Sequence, residues 1–268
     1  MGIRHVAKAS RAAVEKSVGI PLATGWGRLM ALGIRPPAFV GAYPDYATAK
    51  AHAPRDTPNS YDDDQVAPLN FELMSQLHIW DYPVVFWLGK LMQPGLHVVD
   101  AGGHFGTKYI AFRDLLPLAE IRWSVQDLPA VIRASRAAQQ RGAVPAEVNF
   151  IDALLDGGAA DVLLASGLLQ YLDRPLAEMV AELPSPPRHI LLNKVATREG
   201  ATVVTLEKIG PARLPYQIRN RAAFESELTD MGYTIRASWV IPSLSRRIGT
   251  HPGLGASTSM GYYLERAS

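Results

Sequence analysis

Two short segments carry residue types that could hold a ligand. The first, Val98-Val99-Asp100-Ala101-Gly102-Gly103-His104-Phe105-Gly106-Thr107, places three glycines directly after an apolar run of strand length. Glycines at that point let the backbone approach a ligand closely and turn sharply into a helix. The second, Val125-Gln126-Asp127-Leu128-Pro129, closes the next strand-like run with an acid about 27 residues after Asp100. A carboxylate across the switch point of a parallel sheet can accept both hydroxyls of a ribose. As a plain helix N-cap it would need only nearby backbone N–H groups, and the two roles are compatible. A dinucleotide fingerprint requires Gly-x-Gly-x-x-Gly, and Ala101 stands at its first place, which disfavours a nicotinamide dehydrogenase.

Groups able to move a proton are fewer. His104 lies within the glycine loop, where a neutral imidazole could take a hydroxyl proton near pH 7 or could bond the backbone. Tyr171 and Tyr216 could bond or shape an acceptor, or serve as core or rim tyrosines. His78 reads as an interface residue, and His251 falls in a glycine-rich loop near the end of the chain. The remaining histidines are scattered and Asp62-Asp63-Asp64 reads as a solvated loop or cap, so no metal site is expected. The absence of cysteine excludes disulfides, thiolate metal sites and a cysteine nucleophile.

The elements that must position these residues follow from the apolar pattern. Strand-length runs occur at 97–101, 121–126, 147–151, 161–165 and 189–193, with helical segments near 106–117, 128–142 and 175–183 between them. This alternation predicts βαβ units and a parallel sheet covered on both faces. A helix at 221–231 and strands near 233–240 and 260–266 complete the pattern, the last strand antiparallel. Upstream, residues 3–17 read as a helix, packed on the body or free to meet a membrane surface or partner. Residues 38–65 read as a loop with one short helix near 46–52, and residues 66–93 as a long helix kinked or divided at Pro83. The expected fold is α/β, a doubly wound Rossmann-like seven-stranded sheet with an antiparallel final strand. Residues 1–93 are expected to form an N-terminal helical cap, and residues 94–268 the ligand-binding domain.

Lys+Arg 27 against Asp+Glu 25 gives a net charge of +2 over 268 residues, too little for a protein whose main task is binding nucleic acid. Residues 1–35 hold six of the basic residues and only Glu15 among the acids, so this head is a candidate contact for a partner or a second copy. No stretch reaches 18 apolar residues and no secretory pattern opens the chain, so a cytoplasmic protein without an integral membrane segment is expected.

The Asp-x-Gly-Gly-x-x-Gly loop resembles that of class I S-adenosylmethionine-dependent methyltransferases. Together with Ser166-Gly167-Leu168-Leu169-Gln170-Tyr171-Leu172, Pro215-Tyr216, Arg219-Asn220 and Gly232-Tyr233, it is similar to one group of bacterial methyltransferases often found among surface-polysaccharide genes. The resemblance covers residues 40–265 and implies S-adenosylmethionine as methyl donor. It implies that Asp100, Gly102, Gly103 and Gly106 wrap the amino-acid end of the donor and Asp127 holds its ribose. Leu128 would lie against adenine, Asp152 address the adenine amino group, and Ser166 line the methyl-transfer cleft. His104 departs from the family, which carries a small residue there. The acceptor implied is a small molecule or sugar hydroxyl, assisted by His104, Tyr171 or Tyr216. A non-catalytic accessory protein with the same fold is the alternative.

Overall fold

The structure is a computed structural model describing residues 17, 19–31, 37–54, 58, 62–64 and 66–267. The helix expected at 3–17 lies, apart from Ser17, outside the described residues. In chain order the elements are α1 (Ile20–Ala31), β1 (Phe39–Tyr43), α2 (Tyr46–Ala51), α3 (Phe71–Met74) and α4 (Tyr82–Leu91). Next come β2 (His97–Ala101), α5 (Thr107–Phe112), β3 (Arg122–Gln126), α6 (Pro129–Gln140), β4 (Val148–Ile151), β5 (Val162–Ser166) and α7 (Leu176–Ala181). The chain ends with β6 (His189–Arg198), β7 (Val203–Ile209), β8 (Ala212–Asn220), α8 (Arg221–Asp230), β9 (Tyr233–Ile241) and β10 (Thr258–Arg266).

The central sheet runs β4-β3-β2-β5-β6-β10-β9, with β10 antiparallel to both its neighbours. This is the expected seven-stranded, mostly parallel, doubly wound sheet. Every residue of β2 and β5 is buried, because helices cover both faces of a parallel sheet. Val98 belongs to the core cluster that holds Leu88, Phe112 and Trp123 on one side. Its neighbour Val99 belongs to the cluster that holds Leu163, Leu192 and Phe224 on the other. Each such large apolar side chain contributes about 1.5–3 kcal/mol on burial.

Three strands were not anticipated. β7 and β8 form an antiparallel hairpin, and β1 adds to the free edge of β7. β6 outruns its parallel partner β5 and pairs through Thr197 and Arg198 with the end of β8, which grafts this annexe onto the main sheet. Residues 1–93 are therefore not a purely helical cap, since β1 belongs to a sheet. The helix expected over 66–93, kinked or divided at Pro83, is divided, but upstream of that proline. It is two helices, α3 and α4, and Pro83 sits in the first turn of α4, where its missing N–H has no helical partner to lose. Among the described residues no helix is long and apolar enough to cross a membrane.

A buried ion pair joins the two parts of the chain. Lys108 Nζ of α5 lies 2.9 Å from Asp81 Oδ1, with side-chain exposures of 4% and 0%. The other Asp81 oxygen accepts the backbone N–H of His78 at 3.1 Å, which fixes the turn entering α4. Removing one partner of such a pair leaves a charge stranded in the interior. Asp81→Ala is expected to lower unfolding free energy by about 3–5 kcal/mol, measured as a drop in the urea midpoint.

Candidate functional site

A cavity of about 450 Å³ opens at the carboxyl ends of β2, β3 and β5 and beside the middle of β6, between the main sheet and the annexe. That volume lies within the roughly 300–1,000 Å³ usual for small-ligand sites, and its position is the one parallel sheets offer to ligands. Gly102, His104, Asp127, Leu128, Ser166, Tyr171 and Tyr216, all singled out from the sequence, line it.

The β3 corner is held by its acid. Asp127 Oδ2 accepts the N–H of His104 at 2.8 Å and Oδ1 accepts the N–H of Leu128 at 2.7 Å. Burial pushes this carboxyl up to about 6, with the two backbone donors opposing the shift. A carboxylate has about four lone-pair sites, so each oxygen keeps one for a ligand. Asp127 does not cap the following helix. Asp62 does, accepting the N–H of Ala130 at 2.8 Å, while Asp64 pairs with Arg133 at the surface.

The glycine loop is packed closely. Gly102 has φ +66, and a Cβ there would lie 2.7 Å from Leu168 Cδ1. A Cβ on Gly103 would fall 2.6 Å from the Asp100 carboxyl, and Gly106 at φ +72 leaves α5 flush against Val148. Gly103 and Gly106 thus shape the loop from beneath and do not line the cavity. Asp100 lies under the loop as well, 1% exposed, and neither of its oxygens has a hydrogen-bond partner among the described residues. Burial drives it up to about 7, opposed by Lys108.

His104 enters the loop with φ +54. Its Nε2 lies 2.6 Å from the carbonyl of Ala67, and since a carbonyl only accepts, Nε2 carries the hydrogen. Burial pulls the ring down to about 4, so it is neutral, and its buried Nδ1 has no partner among the described residues. The ring is tilted against Phe105, with centroids 4.6 Å apart.

Asp152 is not brought to the cavity. Arg136 of α6 holds both its oxygens at 2.9 Å on the surface, which removes it from the nucleoside corner where the family resemblance had put it. His78 stacks on Trp80 and His251 bonds Thr250, both away from the cavity lining.

Several lining residues were not singled out by the sequence reading, among them Lys194, Glu207 and Arg246. Tyr171 donates its hydroxyl to Glu207 Oε2 at 2.6 Å, and burial still pushes Glu207 up to about 7. Burial and the neighbouring Glu207 raise Tyr216, so its phenol stays protonated. Ser166 Oγ and Gln170 Oε1 are buried with no partner among the described residues. Lys194 follows the end of a strand-like run, so the rule that found Ser166 could have found it. Glu207 lies on an unanticipated strand.

No family model matches the chain, and no curated protein matches it. Among solved structures, the magnesium protoporphyrin IX methyltransferase of Synechocystis with bound SAM is similar at 17% identity, covering 79% of this chain and 86% of that one, with a TM-score of 0.45. A glycopeptide N-methyltransferase complexed with SAM shows 13% identity, 72% and 96% coverage and a TM-score of 0.48. The 1,6-didemethyltoxoflavin-N1-methyltransferase of Burkholderia thailandensis shows 17% identity, 81% and 97% coverage and a TM-score of 0.44.

The raised carboxyl of Asp100 makes a prediction of defined sign. Its folded value near 7 against 3.8 in the open chain means the folded protein keeps this proton longer. Its contribution to stability is then greatest below pH 4 and declines as pH rises toward 7. Asp100→Asn is expected to melt with the parent at pH 4 and at least about 2–4 °C above it at pH 8, read by calorimetry.

Proposed function

We propose that this chain is an S-adenosylmethionine-dependent methyltransferase acting on a hydroxyl oxygen of a small-molecule or glycan-precursor acceptor. The observation carrying this reading is a single cavity lined both by Gly102, Asp127 and Leu128 and by Ser166, Tyr171, Lys194 and Glu207. The residues present suit the donor. Asp127 has lone pairs free for two ribose hydroxyls, Leu128 offers an apolar surface beside them, and Gly102 brings backbone close to the bound molecule. The unpartnered carboxylate of Asp100 below the loop is a favourable field for the ammonium of an amino-acid tail.

When bound, S-adenosylmethionine would supply an electrophilic methyl group on a positively charged sulfur. The protein's task is then to hold the acceptor oxygen in line, about 3–3.5 Å from that carbon. Ser166, Gln170, Tyr171 and Lys194 supply polar atoms to the lining, and Phe39, Tyr46, Met74 and Tyr216 supply aromatic and apolar surface. Residues 94–268 act in this reading as the donor-binding domain, with the upstream segment contributing to the acceptor chamber. The modest net charge and the mixed lining favour a small acceptor over nucleic acid.

Calorimetry with S-adenosylhomocysteine tests the reading. Binding is expected for the parent, about 10–100-fold weaker for Asp127→Ala from loss of charge-assisted hydrogen bonds, and none for Gly102→Arg. Because the ionised carboxylate is the better acceptor, affinity should fall as pH drops through about 6 and hold above it. No binding by the parent at millimolar ligand would reject the proposal.

A further inference from the structure

Lys194, like Arg174 and Arg246, is a cationic lining residue of the cavity that belongs to neither the glycine loop nor the nucleoside corner. Lys194 sits just beyond the last pairing of β5 with β6, where Ser166 lies opposite Asn193. Between the pairs Leu192–Tyr262 and Val195–Met260, β6 has two residues, Asn193 and Lys194, against the single Gly261 of β10. This is a β-bulge, a device that bends a strand and re-aims a side chain. Lys194 adopts φ +61 within it, an uncommon conformation for a residue with a side chain.

The bulge is locked from the other side of the sheet. Trp239 Nε1 donates to Asn193 Oδ1 at 3.1 Å, and Asn193 Nδ2 donates to the Trp80 carbonyl at 3.0 Å. The Trp239 ring crosses Gly261 so closely that any Cβ there would collide with it. With Asn193 fixed, the lysine passes beside Gly167, where a Cβ would lie 3.0 Å from its Cε and 3.1 Å from Nζ, and reaches the cavity.

We propose that Lys194 is the base on the acceptor side, its neutral amine taking the hydroxyl proton as the acceptor oxygen receives the methyl group. This rests on the methyl-transfer reading above. The O–H bond breaks and its proton passes to Nζ. The oxygen's electron pair forms the bond to the methyl carbon, and the carbon–sulfur bond breaks with its pair kept by sulfur, whose positive charge is lost. The ammonium returns its proton to water once the product leaves.

The surroundings suit a base better than a fixed cation. Nζ makes no hydrogen bond or ion pair with a described residue. Enclosure and the positive Lys108 of α5 disfavour its charge, while Asp81 before α4 and Asp100 of β2 favour it more weakly. The outcome is an amine pulled down to about 8. About half of such amines are neutral at pH 8, where an ordinary lysine is almost wholly charged.

The donor itself offers a readout that needs no acceptor. A positively charged sulfur beside Nζ makes the amine shed its proton more readily, whereas S-adenosylhomocysteine carries no such charge and is otherwise alike. Calorimetric titration of the full chain at pH 8, in two buffers of different ionisation heat, counts protons released on binding each compound. S-adenosylmethionine should release about 0.4 proton per site more than S-adenosylhomocysteine for a one-unit drop. The excess should vanish in both Lys194→Met and Lys194→Arg, with S-adenosylhomocysteine affinity within about threefold of the parent. Equal release by the two compounds in the parent overturns the proposal, since the amine is then either permanently charged or remote from the methyl. An excess that survives in Lys194→Met also overturns it, as does loss of S-adenosylhomocysteine binding in both variants. Should neither compound bind the parent, the methyl-transfer reading fails instead.

Discussion

The Asp127 carboxylate fixes the geometry on which the cavity depends. One oxygen takes a backbone donor from the glycine loop after β2, and the other takes one from its own corner after β3. Two loops that meet only at the rim of the sheet are thereby held in register before any ligand arrives, which lowers the ordering cost of binding. Burial works against the charge, and the two N–H groups offset part of that cost. In the proposed reading the same carboxylate serves as brace and as ligand contact, since each oxygen accepts only one backbone bond and keeps further lone-pair capacity.

Beneath that brace the floor of the site contains the buried Lys108, Asp81 and Asp100, with the half-buried Lys194 beside them. Lys108 and Asp81 satisfy each other, whereas Asp100 and Lys194 have no ion-pair partner among the described residues. Desolvation moves these two groups toward neutrality from opposite directions, Asp100 up to about 7 and Lys194 down to about 8. Unpaired polar groups in an interior reduce stability, and clusters of them with displaced titration are concentrated where proteins bind and transform ligands. The apolar packing around Val98, Val99, Trp123 and Leu163 supplies the stability that tolerates them.

Much of this arrangement was legible in the chain. β2, β3, β5 and the first half of β6 read as strands because sheets buried on both faces have nearly continuous apolar runs. The glycine loop and Asp127 followed from where those strands end. The annexe was hidden for physical reasons: Pro215 cannot donate to a ladder, and Glu207, Lys208 and Arg213 interrupt the alternation of β7 and β8. Asp152 shows the limit of reading strand ends alone. It closes β4 as anticipated, but Arg136, 16 residues earlier on α6, captures its carboxylate. The cap of α6 likewise comes from Asp62, 68 residues away, which no local pattern announces. Lys194 follows a strand-like run and was open to the same rule as Ser166, but the bulge that re-aims it depends on the partner strand as well as on its own residues.

The annexe has a consequence for how the molecule is made. β1 pairs with β7 across a separation illustrated by Thr205 Oγ1 donating to the Val40 carbonyl at 3.0 Å, 165 positions apart in the chain. A nascent chain emerging from the ribosome therefore exposes β1 as an unsatisfied edge until the hairpin of β7 and β8 has been synthesised. Closing so long a loop adds little equilibrium cost, because that cost grows only with the logarithm of length, but such distant pairing slows folding. Phe39 meets Tyr216 at 5.1 Å only after that closure. The aromatic wall of the chamber is consequently a late product of folding, and the edge that waits for it is the point at which an incomplete chain is most open to aggregation or chaperone capture.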